Sequence, residues 1–434
     1  MIACGLLSVA CVNEVEEVFD TQASERLDQR MLECQSLLTS AEYGWLIEYY
    51  PDPHQSYGGS TYTAKFDADG SVTVTGEIAE QVSGNVSKTI TSHYSINASS
   101  SVTLTFDTYN EYIHYWSDPD DYSGNLYEGD FEFAYVNGDE ERMVFRGIKT
   151  GNQIVFTALS TDIVTSAQQI VAIQEEVVDN LYLGYKWDSG DTNAIELYDD
   201  DNYNLLTYYP DGNKNGAYET IPYSYTPEGI AFYKATTIAG ITVQKFKWEN
   251  NAFVSTDAVD ASGIPATVSM TGFHSDSFLH YDTFIGTYTL TYKTSANASS
   301  YVSRTVTLSE GTRYSSFILT GLSSRFPMEV DYSKSDGSLS LTTQYLGRYN
   351  SYYVYLCPSE SARGGYYTWG AGIGFTLTHN GDPENLVLAF ADNGVWSGYV
   401  VTNLLVQAFS GSPSGTTSLG YPERFYMLNT MTKQ

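Results

Sequence analysis

Short runs of residues that alternate between polar and apolar side chains recur along most of this chain, and they limit its fold more than any other feature. Three of these runs cover residues 45–50, 61–66 and 71–75, and the acidic turn Asp67-Ala68-Asp69-Gly70 separates the last two. A two-residue period places successive side chains on opposite faces of a strand, and a short turn ending in glycine joins two strands into a hairpin. The sequence therefore predicts an all-β protein, built from several antiparallel meander units of the sandwich or barrel type.

Two segments instead repeat their apolar side chains every three or four residues, which is the period of an α-helix with one buried face. The first begins after Ser24, a suitable N-cap residue, and ends at Gly44, which suits a left-handed C-cap. Its apolar stripe consists of Leu27, Met31, Cys34, Leu38 and Ala41. The second covers about residues 165–180. We therefore expect an N-terminal helix and one further helix.

Chain length and internal similarity indicate more than one domain. A chain of 434 residues is long for a single hydrophobic core. Residues 194–201 resemble residues 63–69, which predicts two related β units at about 45–160 and 181–257. The alternative is that the two regions look alike only because both are hairpins rich in tyrosine and threonine.

The alternating pattern is lost after residue 257, in a stretch of Asp, Ser, Gly and Pro, so residues 258–283 are predicted to form a linker. Residues 284–434 return to the two-residue period, with a clear hairpin turn at Ser335-Asp336-Gly337-Ser338. Strands at this spacing with few helices between them are typical of a sandwich or a barrel. We therefore expect a C-terminal β domain that follows a helix-plus-β region at 23–257.

The charge balance argues against one class of partner. The chain has 52 acidic and 21 basic residues, which gives a formal net charge of −31. A surface of this sign repels phosphate backbones and anionic lipid headgroups, so nucleic-acid binding is not expected.

No apolar run after Cys11 reaches the roughly 20 residues that a helix needs to span a bilayer. Cys34 and Cys357 have no CxxC context and are expected to be buried free thiols.

Cys11 follows the small and apolar residues Leu6-Leu7-Ser8-Val9-Ala10, as in the cleavage site of a bacterial lipoprotein. On this interpretation residues 1–10 are the remnant of a signal peptide, and residues 11–22 form a lipidated acidic leader. The chain would then be attached to a membrane through a lipid anchor at Cys11. A signal peptide normally carries basic residues, so we expect the translation start to lie further upstream. The alternative is a buried N-terminal strand with a core cysteine.

Several short stretches occur in an order that is typical of one family. These are Phe19-Asp20, Ser24-Glu25-Arg26-Leu27, and residues 44–51, 106–110 and 229–234. They resemble the domain of unknown function 4302 family of Bacteroidota lipoproteins over about residues 17–257. The resemblance implies an exported outer-membrane lipoprotein that faces the cell exterior, from a family often encoded near glycan-uptake proteins of the SusC/SusD type and predicted zinc metallopeptidases. It supplies no catalytic residue, because the family has no established activity.

Motifs of known chemistry are missing from the sequence. It contains no HExxH, GxSxG or Walker motif and no zinc-like cluster of cysteine and histidine. His274 and His280 lie close in sequence, but a loop or strand explains such a pair more often than a metal does. Asp67 and Asp69 resemble the start of a calcium loop whose later ligands are lacking, so a hairpin turn is the better interpretation. We therefore expect no metal, cofactor or catalytic residue.

Two aromatic stretches are candidates for a ligand-binding site, because an aromatic face covers sugar C–H groups while carboxylates accept hydroxyl hydrogen bonds. The first comprises Tyr112, His114, Tyr115, Trp116, Asp118, Asp120 and Asp121. An equally simple interpretation, which the pattern favours, packs these aromatic rings into a core beside an acidic turn. The second comprises Tyr366, Tyr367 and Trp369. Glycines on both sides of it are compatible with a loop that presents aromatic rings to solvent.

The sequence leaves three functions open. The leading hypothesis is a non-catalytic surface lipoprotein that captures a glycan or glycoprotein fragment for a neighbouring importer. The alternative enzyme is a glycoside hydrolase with paired carboxylates among Asp118, Asp120, Glu128 and Asp130. The third possibility is a structural or adhesive surface module without a binding site.

Overall fold

The structure is a computed structural model. It describes residues 23–118, 128–190, 194–200, 202–362, 366–411 and 423–434. Cys11, Asp120 and Asp121 lie outside the described residues. Antiparallel strands dominate the described part, which confirms the predicted all-β fold, and the two predicted helices are present. The chain divides into two compact units: the first extends to Glu176 and also takes Trp187–Met270, and the second takes Val177–Lys186 and Thr271–Gln434.

A nine-stranded antiparallel sheet opens the first unit. Its elements are α1 (Ala23–Leu38), β1 (Trp45–Tyr49), β2 (Ser60–Phe66), β3 (Ser71–Gly76), α2 (Ala79–Ser83), β4 (Ile90–His93), β5 (Ser95–Ala98), β6 (Val102–Thr105), α3 (Glu111–His114), β7 (Glu132–Gly138), β8 (Arg142–Gly147) and β9 (Gln153–Ala158). The strand order is β4-β3-β2-β1-β9-β8-β7-β6-β5. Helix α1 packs on β5, β6 and β7 and buries Cys34 and Leu38, as its apolar stripe predicts.

The hairpin between β2 and β3 shows how local residues set the fold. Asp69 accepts hydrogen bonds from the backbone N–H and the hydroxyl of Ser71, at 2.9 and 2.7 Å. Gly70 takes the left-handed conformation with φ 89°, which glycine adopts without steric cost. These contacts confirm a hairpin turn at this position, because the Asp69 side chain closes the turn itself.

A second sheet follows helix α4. The elements are α4 (Ile163–Asn180), β10 (Gly184–Asp188), β11 (Ile195–Asp199), β12 (Leu205–Tyr208), β13 (Glu219–Tyr225), β14 (Gly229–Ile238), β15 (Ile241–Glu249), β16 (Ala252–Ser255), β17 (Val259–Asp260) and β18 (Ser269–Phe273). The order is β14-β13-β12-β11-β10-β18-β16-β15-β17, and pairing of β14 with β15 closes the sheet on itself. Asp162 caps α4 by accepting hydrogen bonds from the backbone N–H groups of Val164 and Thr165.

The interval 258–283, predicted as a linker, holds β17, β18 and the 3-10 helix η1 (Tyr281–Phe284). Strand β18 lies inside the sheet between β10 and β16, so this interval is structured rather than a free connection. Its two strands are only two and five residues long, which is why they leave no clear alternating pattern in the sequence.

The rest of the second unit combines a closed barrel with a small sheet. Its strands are β19 (Gly286–Tyr292), β20 (Val302–Glu310), β21 (Ser316–Thr320), β22 (Met328–Tyr332), β23 (Leu339–Thr342), β24 (Gln344–Tyr349), β25 (Tyr352–Ser359), β26 (Gly374–His379), β27 (Val387–Asp392), β28 (Asn403–Phe409), β29 (Glu423–Phe425) and β30 (Thr430–Lys433). The barrel order is β19-β20-β21-β22-β23-β26-β27-β30, and the small sheet has the order β24-β25-β28-β29. One face of the small sheet packs on the core of the barrel, where Val354 and Leu404 join Leu290 and Val306.

Cys34 and Cys357 are buried free thiols, as expected. Burial raises the pKa of each thiol to about 12, so both stay protonated and unreactive at neutral pH. Among the described residues, no helix has the length and apolar character required to cross a membrane.

Candidate functional site

The small sheet of the second unit has two faces of different chemistry, and alternation along its strands produces them. In β25, Val354 and Leu356 are fully buried against the barrel core, whereas Tyr353 and Tyr355 point to the other side and stay partly exposed. In β28, Val406 likewise joins the core. The face that turns away from the barrel carries the two tyrosines, and it is itself buried at Cys357, Leu405 and Phe409.

Strand pairing aligns these aromatic side chains in rows across the sheet. Tyr353 lies opposite Phe409 on one side and Arg348 on the other. In the next row Tyr355 lies opposite Tyr345. A β-bulge between Tyr345 and Gly347 shifts the alternation of β24, so that Tyr345 and Arg348 reach the same face.

Six rings form a continuous strip on this surface, which we call the aromatic face. They are Tyr345, Tyr353, Tyr355, Phe409, Trp369 and Tyr367. The ring centroid of Tyr345 lies 6.1 Å from that of Tyr353 and 5.1 Å from that of Tyr355. Phe409 lies 6.0 Å from Tyr355 and 5.9 Å from Trp369, which in turn lies 6.0 Å from Tyr367. Aromatic rings at such distances contact one another, so the strip is unbroken.

The rings of the strip differ in how much of their surface is exposed to solvent. Tyr345 is 49% exposed and Trp369 is 42% exposed, whereas Phe409 is only 1% exposed. Phe409 also packs with Cys357 and Leu405 in a small buried cluster on the same face of the sheet. Phe409 is therefore closed to a ligand, whereas Tyr345 and Trp369 each keep part of their surface in solvent.

The loop that carries the predicted residues Tyr366, Tyr367 and Trp369 is held against the end of β25. The backbone N–H of Glu360 donates to the carbonyl of Tyr366 at 2.9 Å, and that of Thr368 donates to the carbonyl of Pro358 at 3.0 Å. Tyr366 is 61% exposed beside Tyr399. Tyr367 is half-buried and packs on the small core, so it supports the loop more than it presents a free ring.

A cation lies at one end of the strip. The guanidinium carbon of Arg348 lies 4.4 Å from the ring centroid of Tyr353, and Arg348 Nη2 donates to the Tyr353 hydroxyl at 2.5 Å. Burial, and next the neighbouring Tyr345, raises the pKa of the Tyr355 hydroxyl. The Tyr355 hydroxyl therefore stays protonated at neutral pH, and a protonated tyrosine hydroxyl can both donate and accept hydrogen bonds.

The structure places the first predicted aromatic stretch differently. Tyr112 is fully buried in α3, and its hydroxyl donates to the carbonyl of Lys88 at 2.5 Å. It cannot contact a ligand, so the ligand-binding interpretation is wrong for Tyr112. Asn110 caps this short helix through its side chain and thereby turns Tyr112 inward.

The neighbouring residues are less buried but also serve the packing of the first unit. The His114 ring stacks on Phe131 with a centroid distance of 5.2 Å, and Tyr115 and Trp116 pack against the core. Asp118 is partly exposed and accepts a hydrogen bond from the Tyr109 hydroxyl at 3.1 Å. These contacts favour the interpretation that the stretch packs into the core over the interpretation that it binds a ligand.

Asp130, one of the carboxylates considered for glycosidase chemistry, is a structural residue. It is 3% exposed, and its oxygens accept hydrogen bonds from the backbone N–H groups of Lys149 and Thr150, at 2.5 and 3.1 Å. The Thr150 hydroxyl donates to it at 2.5 Å as well. A carboxylate enclosed by three donors cannot reach a glycosidic bond, so the enzyme hypothesis is wrong for Asp130.

The histidines considered above are also structural. His274 Nε2 lies 2.6 Å from the carbonyl oxygen of Asn180, and His280 Nε2 lies 2.9 Å from that of Asp179. Within the described ranges, no group of three or more His, Cys, Asp or Glu side chains has the arrangement of a metal site.

Sequence reasoning missed Tyr345, Tyr353, Tyr355 and Phe409. A usable signal was present, because residues 353–356 alternate tyrosine with an aliphatic residue, which places the tyrosines on the face opposite the apolar side chains of a strand. The β-bulge that brings Tyr345 to the same face leaves no comparable signal, since it depends on the pairing partner.

Comparison with known proteins identifies families but no function. A family model described as domain of unknown function (DUF4302) matches residues 15–250, which is more than half of the chain. A second model, DUF4987, also described as a domain of unknown function, matches residues 259–403. No curated protein and no solved structure matches the chain significantly. The chain therefore belongs to the DUF4302 family of proteins of unknown function.

Proposed function

We propose that this chain is a non-catalytic glycan-binding protein that holds a saccharide on the aromatic face. The observation that carries the proposal is the strip of six contacting rings, in which Tyr345 and Trp369 are exposed and Phe409 is buried between them. Exposed aromatic residues scattered singly need no explanation, whereas a contiguous patch with polar atoms at its edge marks an interaction site.

The chemistry of the strip suits a sugar. Aromatic faces cover the C–H side of a pyranose ring, while tyrosine hydroxyls and the Arg348 guanidinium exchange hydrogen bonds with its hydroxyl groups. Phe409 and Cys357 keep the strip in place without ligand, so little ordering entropy opposes binding. A strip longer than one ring favours an extended oligosaccharide over a monosaccharide.

The proposal extends to the setting of the protein. A lipid anchor at Cys11 would keep the saccharide at the outer membrane, facing the cell exterior, where SusC/SusD-type uptake proteins could receive it. Radioactive palmitate labelling of the wild type and of Cys11→Ala tests the anchor, and protease treatment of intact cells tests the orientation. Equal labelling of both chains would contradict lipidation at Cys11.

A glycan array probed with the detergent-solubilised full chain tests the binding function. We expect at least one oligosaccharide to bind the wild type and to bind Tyr345→Ala and Trp369→Ala at least tenfold more weakly. Tyr301→Ala is the matched control, because Tyr301 is an exposed tyrosine of the same unit that also lies near a cation, Lys293. Absence of any glycan signal from the wild type would contradict the proposal.

A further inference from the structure

A groove lies on the hairpin of β11 and β12 in the first unit, and none of its residues has been discussed as a site so far. It has a volume of about 490 Å³, and its lining includes Glu196, Tyr198, Tyr208, Tyr209 and Lys214. This volume lies within the range of small-molecule sites. We propose that this groove, the tyrosine groove, is an additional binding site for a neutral saccharide.

The rings of Tyr198 and Tyr209 line the groove, and the ring of Tyr218 contacts that of Tyr209. The centroids of Tyr198 and Tyr209 are 6.0 Å apart with the rings inclined at 71°, and Tyr218 continues the series at 6.1 Å from Tyr209. Tyr218 is 63% exposed, although a tyrosine in a monomeric domain would normally bury more of its ring. The three rings are inclined to one another rather than stacked in parallel.

One cation and one anion complete the lining. Lys214 Nζ lies 4.2 Å from the ring centroid of Tyr198, and the Tyr198 hydroxyl donates a hydrogen bond to Glu196. Both Glu196 and Lys214 hydrogen-bond to the Tyr198 hydroxyl, and Lys214 also lies over the ring, so the two side chains hold the ring in place. They also place a donor and an acceptor next to an aromatic surface, within reach of one bound molecule.

This combination selects among ligand classes. A purely apolar ligand would remove water from Lys214 and Glu196 without replacing their hydrogen bonds. A phosphate or another anion would meet the Glu196 carboxylate and a chain of net charge −31. A neutral sugar offers C–H groups to the tyrosine rings, while its hydroxyl groups can accept a hydrogen bond from Lys214 and donate one to Glu196. It therefore suits all three kinds of side chain in the groove.

The inference shares its ligand class with the proposed function, but it rests on different residues in a different unit. Its test therefore uses the full chain in four forms on the same glycan array. These are the wild type, Tyr345→Ala/Trp369→Ala, Tyr198→Ala/Tyr209→Ala, and the chain with all four changes. Lys214→Gln is added because Lys214 is exposed and its replacement leaves the strands intact.

We expect Tyr345→Ala/Trp369→Ala to retain binding to at least one neutral oligosaccharide. Adding Tyr198→Ala/Tyr209→Ala should then weaken that binding at least tenfold, and Lys214→Gln should weaken it severalfold. If the four-fold variant and Tyr345→Ala/Trp369→Ala bind all glycans equally, the tyrosine groove is not a saccharide site. If Tyr198→Ala/Tyr209→Ala alone abolishes all glycan binding, the result supports a saccharide site in the tyrosine groove and contradicts one on the aromatic face.

A control titration with a nucleoside separates stacking on any planar ring from recognition of an oligosaccharide. Adenosine is titrated into Tyr345→Ala/Trp369→Ala, with and without the two groove substitutions. We expect no binding that depends on Tyr198 or Tyr209. Groove-dependent adenosine binding in the absence of groove-dependent glycan binding would overturn the saccharide assignment.

Discussion

Glu77 carries a buried carboxylate in the first unit, and its replacement by glutamine should change how stability depends on pH. The residue follows β3 and is 8% exposed. Its Oε1 accepts a hydrogen bond from Thr61 N–H at 2.9 Å, and its Oε2 accepts one from Gln174 Nε2 at 3.1 Å. Burial outweighs these hydrogen bonds and raises the pKa of Glu77 to about 7.

The direction of the effect follows from proton binding in the two states. Between the ordinary glutamate pKa of 4.5 and about 7, folded Glu77 holds a proton that the unfolded chain has lost. The free energy of unfolding therefore falls as the pH rises through this window, and above pH 7 the loss from Glu77 is complete. A shift of this size corresponds to about 3 kcal/mol.

Glu77→Gln should remove this pH-dependent loss of stability, because glutamine is neutral at every pH and resembles the protonated carboxyl group. The Gln174 side-chain amide can turn its oxygen toward the new NH₂ group, so no donor is left facing a donor. We expect Glu77→Gln to match the wild type in stability near pH 4.5 and to exceed it by up to about 3 kcal/mol at pH 8.

Hydrogen exchange measured by mass spectrometry at pH 5 and pH 8 reports on β2 and β3 without requiring the whole chain to unfold in one step. Exchange rates are corrected for their intrinsic pH dependence, and Glu80→Gln serves as control because Glu80 is exposed three residues away. Equal pH dependence of the wild type and Glu77→Gln would refute the argument that burial keeps this carboxyl protonated.

Four further substitutions separate binding from packing. Trp369→Ala should weaken glycan binding at least tenfold with almost no change in melting temperature, whereas Phe409→Ala should cost about 3–5 kcal/mol of stability because its ring is buried; thermal unfolding read beside ligand titration distinguishes them. Asp130→Ala should lower the melting temperature, since each backbone donor left unpaired costs about 1–3 kcal/mol. Tyr112→Phe should lose about 1 kcal/mol in thermal unfolding and leave glycan binding unchanged.

The local parts of the fold were predictable because their causes are local. Apolar residues spaced three or four apart mark the two long helices, and Asp69 with Gly70 marks a hairpin. Each of these signals lies within a few residues of the element that it defines. The alternating pattern likewise indicated the strands of the C-terminal region.

Closure of the barrel was not predictable, since it depends on partners that are far apart in sequence. Leu290 in β19 pairs with Met431 in β30, the last strand of the chain. A sandwich and a barrel use the same alternating strands and differ only in which edges meet. The sequence could therefore predict a β domain but not its closure.

The candidate site was predictable only in part for the same reason. Trp369 stood out because glycines flank its loop, and it is exposed on the aromatic face. Tyr112 stood out equally, yet a four-residue helix turns it into the core. A tyrosine beside acidic residues can have the same local sequence whether it is exposed to a ligand or buried in a core. Only the packing of α3 shows that Tyr112 is buried.

The central claim is that the exposed rings of the aromatic face bind a glycan. The most direct test is titration calorimetry of the oligosaccharide found on the array into the wild type, Tyr345→Ala, Trp369→Ala and Tyr301→Ala. We predict that the first two variants lose at least tenfold in affinity, about 1.4 kcal/mol, while Tyr301→Ala binds like the wild type. Equal affinity of all four proteins would contradict the claim and leave the tyrosine groove as the remaining candidate.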